Sequence, residues 1–245
     1  MKPDKQIIRI MNRSISYKNG TKADTGWPCS RSFREQLQGN LDSFTRCEVK
    51  QPPGSMRFAA VAVTVIDFRH QGNLAGLGEQ RDDSAALILT RRSPMLRSHA
   101  GQWALPGGRI DPEESPVETA LRELREEVGL HLTRDNLMGL LDDYVTRSGF
   151  HITPVVFWGG TVGKLQKNDG EVASIHRIPC SELARQDAPL LENGVVPGRQ
   201  VLYMPVGNTV IAAPTAAVLF QFREVAMFGK SSRVAHYDQP YFAWK

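Results

Sequence analysis

Two periods of apolar residues run through the chain. Val117, Leu121, Leu124 and Val128 recur at the spacing of one helix face, and the residues around them supply both ends. Ser115 stands at the N-cap, Pro116 at the first helical position, and Glu118 closes a capping box. Gly129 follows where a C-terminal glycine cap belongs. A second helical stripe, Phe33, Leu37, Leu41 and Phe44, is read from a capping box at Ser32 to Glu35, with Gly39 weakening it. A third, with Val218, Phe222 and Val225, begins at Pro214-Thr215 and runs through Phe228 to Gly229. Runs rich in β-branched and apolar residues predict strands at Phe58–Phe68, Ala85–Thr90, Leu137–Tyr144, His151–Trp158 and Glu171–Ile178. Gln71–Asp83 is expected to be a mobile loop, and Pro189–Asn208 a loop-rich stretch around one short strand. Strands on both sides of a central helix, with a further helix at the end, predict an α/β fold with a mixed sheet between helices.

Composition narrows the class. A chain of 245 residues, 41% of them hydrophobic, fits one domain with extensions. We expect a flexible extension over 1–30, the folded domain with its N-terminal helix over 31–230, and a tail over 231–245. The net charge of +4 suits an anionic small molecule, and no basic patch with interleaved aromatics points to a nucleic-acid partner. Three scattered cysteines, Cys29, Cys47 and Cys180, argue for reduced thiols and a cytoplasmic location rather than a disulfide scaffold or zinc site. No apolar run has the length of a bilayer span, so no membrane partner is expected. Oligomeric state is left open, and a homodimer is compatible with the chain.

The chemistry concentrates on the central helix. Glu123, Glu126 and Glu127 fall on a face about a quarter to a third of a turn from the apolar stripe. Like charges at such spacings cost a few tenths of a kcal/mol per pair. Arg122 and Arg125 offset part of this, and a bound divalent cation would offset far more. Crowded carboxylate oxygens suit Mg2+ or Mn2+. Just upstream, Gly107-Gly108 allows a tight turn and a close backbone approach.

From Gly108 to Leu130 the sequence reads GRIDPEESPVETALRELREEVGL. Its pattern, G-x5-E-x7-R-E-U-x-E-E-x-G-U with U apolar, resembles the Nudix box at every defined position. The resemblance implies an α/β/α sandwich and metal-dependent hydrolysis of a nucleoside diphosphate linked to another group. It implies Glu123, Glu126 and Glu127 as metal ligands, with the Gly107-Gly108 backbone contributing a carbonyl. Arg122 would orient a box glutamate, and Glu114 would support the helix entrance or a metal. The general base would be a box glutamate such as Glu126 or a loop residue, for which Glu171 is the candidate.

The stretch Ile88–Gly108 further resembles the coenzyme A pyrophosphatase subgroup at Leu89, Thr90, Arg92, Ser93, Arg97, Gly101, Pro106, Gly107 and Gly108. Ser148-Gly149-Phe150, Thr153-Pro154-Val155 and Glu171-Val172-Ala173 look like this subgroup too, while Leu105 replaces its usual Phe. That resemblance implies substrate binding by Arg92, Ser93, Arg97 and Gly101, and cleavage of coenzyme A to 3′,5′-ADP and 4′-phosphopantetheine. Arg91 is expected to be a solvated surface arginine, and His99 a loop hydrogen bonder. ADP-ribose, NADH or a dinucleoside polyphosphate are the alternative substrates, and a non-catalytic nucleotide sensor the alternative class.

Overall fold

A computed structural model describes residues 27–48, 57–69, 74–96 and 98–243. The 1–30 extension lies outside these up to residue 26, as does part of the loop expected at 71–83. In chain order the elements are α1 (Arg31–Asp42), β1 (Arg57–Asp67), β2 (Ala85–Arg92), β3 (Trp103–Ala104), β4 (Gly107–Arg109) and α2 (Pro116–Val128). They continue with β5 (Leu137–Leu140), β6 (Tyr144–Val145), β7 (Phe150–Gly160), β8 (Val172–Pro179) and the short α3 (Cys180–Leu183). Then come β9 (Leu190–Asn193), β10 (Gln200–Val206), β11 (Thr209–Ala212) and α4 (Thr215–Phe222). The helix containing α4 continues as a π-turn over Arg223–Met227.

β1 is the axis of an eight-stranded mixed sheet, parallel to β7 and antiparallel to β2 and β4. Its side chains alternate across the sheet. Ala60 and Ala62 pack under α2, while Val63 and Val65 face α1 and α4. Ile88 against Leu87 and Leu89, and Val155 and Phe157 against Val156, divide in the same way. Near-continuous apolar runs therefore feed two cores, and the molecule is the α/β/α sandwich expected.

Three local readings are corrected. The first helix is capped by Ser30, whose hydroxyl accepts from the Phe33 amide, so it starts earlier than a cap at Ser32 would allow. The strand expected over Leu137–Tyr144 breaks at Asp142 and Asp143, two buried carboxylates drawn to Arg233 and Arg46. The stretch Pro189–Asn208 holds two strands of a second, antiparallel sheet, β9-β10-β11, whose turn at Gly207-Asn208 joins Val206 to Thr209. Residues 231–243 lie against the domain, where Asp238 pairs with Arg147 and bonds to the Gln200 carbonyl.

Candidate functional site

The central helix has the ends its sequence dictates. Ser115 and Glu118 form a reciprocal capping box, Pro116 opens the helix, and Gly129 closes it with a φ of 67°. Leu124 and Val128 are fully buried against the sheet, and this fixes the rotation of the helix and hence the direction of its glutamates. Glu123 and Glu127 point into the protein and are 7% and 4% exposed, whereas Glu126 stays half in solvent.

The third carboxylate comes from far along the chain. The segment after β7 docks on the open end of α2, where the amides of Gln166 and Asn168 donate to the carbonyls of Val128 and Glu127 at 3.1 and 3.0 Å. These are carbonyls that a helix end leaves unpaired. The turn at Asn168 then presents Glu171, whose carbonyl accepts from the Ser93 amide at 2.8 Å. One oxygen each from Glu123, Glu127 and Glu171 lies within 4.8 Å of the others.

This arrangement is electrostatically costly. Burial pushes Glu127 up to about 8, aided by the charges of Glu123 and Glu171 and countered by Arg92 and by the Gly107 amide, which donates to it. Burial also raises Glu123, with Arg122 opposing. Three hard oxygen donors, two of them buried and held apart from solvent, fit a divalent cation such as Mg2+ or Mn2+.

Arg122 organises the entrance. Its guanidinium donates to both oxygens of Glu114 at 2.8 and 3.0 Å, to Glu123 at 2.9 Å, to Glu126 at 3.2 Å and to the Arg109 carbonyl. Glu114 is also held by the Thr119 hydroxyl at 2.7 Å, and the Arg122 bonds depress its pKa first of all. It braces the helix entrance. Gly108 has a steric reason: a Cβ there would lie 1.9 Å from Glu123 Oε1. The Gly107 N–H donates to Glu127, so the turn's backbone reaches the carboxylates directly.

The four residues expected to bind substrate divide. Arg92 sits where its charge acts on Glu127. Ser93 is 1% exposed, and its hydroxyl accepts from the Met95 amide, so it shapes the turn. Gly101, with a φ of 70°, offers its carbonyl to Arg91. Arg97 lies outside the described residues. Arg91 is not the solvated arginine expected. Its guanidinium lies 4.0 Å from the centre of the Trp103 ring, and burial lowers its pKa to about 10. His99 is a loop residue as expected, bonded to Gln102. The role of the Asn168 turn in delivering Glu171 was signalled only by Asn168-Asp169-Gly170. The backbone bonds that dock it on α2 have no signature in side chains.

Comparison with known proteins agrees with this architecture. The NUDIX domain model matches residues 61–197. An uncharacterized Nudix hydrolase NudL of Yersinia enterocolitica is 44% identical over 163 residues, 64% of this chain and 76% of that protein. Its counterpart in Pectobacterium atrosepticum is 36% identical over 147 residues, 58% and 69% of the two chains. Among solved structures, a MutT/nudix family protein from Enterococcus faecalis superposes with a TM-score of 0.50 over 90% of this chain and 73% of that one. At 15% identity that likeness speaks for the fold.

Proposed function

The chain belongs to the Nudix hydrolase family, a pyrophosphohydrolase by that membership, and from this premise we propose that its substrate is coenzyme A or a close derivative. Hydrolysis within the diphosphate gives 3′,5′-ADP and 4′-phosphopantetheine. A water oxygen forms the new bond to one phosphorus, the bridging P–O bond breaks, and each product keeps one of the two phosphates.

One observation supports this substrate above the alternatives. The loop that resembles the coenzyme A signature is bonded to the carboxylate site itself, through the Ser93 amide and the Glu171 carbonyl, and Arg92 at its head acts on Glu127. A divalent ion in such a site supplies charge neutralisation at the diphosphate and a more acidic water. Glu123 and Glu127 would hold it, Arg122 fixes the Glu123 carboxylate, and Arg92 would offer a guanidinium to a phosphate oxygen. Glu171 is the most exposed of the trio, and in this reading it takes the proton of the attacking water. Glu126, on Arg122 and half in solvent, would complete the family's ligand set.

Purified enzyme with Mg2+ or Mn2+ should convert coenzyme A to the two products, identified by mass. If coenzyme A stays intact while ADP-ribose or NADH is cleaved, the substrate is wrong and the hydrolase remains. Glu171→Gln separates base from bystander. As base it should lower kcat by about 10²–10⁴ with little change in affinity, and a rate within about threefold of the parent removes it from proton transfer.

A further inference from the structure

Several arginines among the described residues face carboxylates. Arg147 pairs with Asp238, Arg177 with Asp67 and Arg185 with Asp187. Two exposed arginines near the site do not. Arg57 and Arg109 have no carboxylate partner among the described residues, yet both are held against one aromatic ring. The Arg57 guanidinium carbon lies 4.2 Å from the centre of Phe150, and that of Arg109 lies 5.6 Å from it.

The sheet places them there. Arg57 on β1 is the register partner of Phe150 on β7, and Arg109 on β4 is the partner of Ala59, two residues along β1. Partners across a ladder share a face, and the alternation along β1 puts Arg57 and Ala59 opposite Ala60, which packs under α2. The Arg57 guanidinium also donates to the Ser148 carbonyl. Arg109 directly follows Gly108, the residue that packs on Glu123, and its own carbonyl accepts from Arg122. Two positive charges thus stand on the face of β1 away from α2, joined to the carboxylate site through the Arg109 backbone, whose carbonyl Arg122 holds.

We propose that Arg57 and Arg109, steadied by Phe150, form a clamp for a phosphomonoester that the nucleotide carries outside the cleaved diphosphate. The assignment of that group to the 3′-phosphate rests on the coenzyme A reading. Planar guanidinium forks match phosphate oxygens in pairs, and stacking on an aromatic ring restricts them without using up their N–H groups. Exposure keeps the clamp open to substrate.

The test compares coenzyme A with dephospho-coenzyme A, which lacks only that phosphate. Arg57→Gln and Arg109→Gln should each reduce the parent's preference, measured as the ratio of kcat/KM values, by about tenfold. The change should appear in KM, with melting temperatures unmoved. Equal losses on both substrates, or an unchanged ratio, overturn the proposal. So does Arg97→Gln abolishing the preference while the other two variants keep it. If the parent cleaves neither compound, the substrate reading fails by itself, and titration without metal decides the clamp. The parent should bind adenosine 3′,5′-bisphosphate about tenfold more tightly than AMP, a difference that Arg57→Gln or Arg109→Gln removes. Equal parent affinities for the two nucleotides would then overturn it.

Discussion

At the scale of single residues, the two glycines of the turn ahead of α2 differ in what they protect. A Cβ on Gly107 would meet the Ala60 carbonyl at 2.4 Å, so Gly107→Ala must shift the strand itself. A Cβ on Gly108 would strike only the Glu123 carboxylate, the end of a side chain that can swing away. Gly108→Ala should therefore leave a folded protein and displace a proposed ligand from its bond to Arg122. We expect kcat to fall by about 10²-fold or more, the scale of an ångström-level misplacement. Stability should fall by only about 1.5–3 kcal/mol, the scale of a charge-assisted hydrogen bond. Steady-state kinetics and a thermal melt on the same preparation check both halves, and full activity in Gly108→Ala would contradict the placement of Glu123.

At the scale of elements, the rotation of α2 is set by its apolar stripe. Leu124 is fully buried between Ala60, Ile88 and their neighbours. Leu124→Ala should cost about 2–5 kcal/mol, and Leu124→Asp should abolish soluble folded protein by burying an unpaired charge. Denaturant unfolding measures the first; a normally melting Leu124→Asp variant would refute the face assignment. This helix was fully legible because each signal is local: cap, proline, stripe and glycine all lie within fifteen residues of Ser115. The second sheet was less so. Proline is unusual inside a strand, and Pro205 sits in β10, yet the Gly207-Asn208 pair between apolar runs is a two-residue hairpin signal. What hid the break at Asp142-Asp143 is different. Asp143 has local partners in His151 and Thr153, but the charges that neutralise the pair, Arg46 and Arg233, lie 97 and 91 residues away, and no window of sequence contains them. The same holds for the site. Glu123 and Glu127 could be read from their spacing, whereas the approach of Glu171 depends on amides docking at a helix end.

At the scale of the whole molecule, three distant segments converge on one crowded set of charges, so stability, pH and metal must be linked. Glu127 titrates in the fold near 8, against 4.5 as its ordinary value. Between those values the folded chain keeps a proton that the unfolded chain has released, and its stability falls as pH rises through the window. His99 and His176, both lowered by burial, act the other way, because the stability they contribute is lost as pH falls below 6.5. Glu127→Gln isolates the carboxylate. With metal chelated, the parent should lose about 2–4 kcal/mol relative to this variant between pH 5 and pH 8. At ~2–4 °C per kcal/mol for a chain of this size, the relative melting temperature moves by several degrees. Mg2+ or Mn2+ should reverse the loss, since cation and proton compete for the same oxygens. The rise in melting temperature on adding metal should therefore be larger at pH 8 than at pH 5, and small at both in Glu127→Gln. Differential scanning calorimetry across that grid of pH, metal and variant tests the linkage. A metal-independent melt of the parent at pH 8 would show that Glu123 and Glu127 hold no cation.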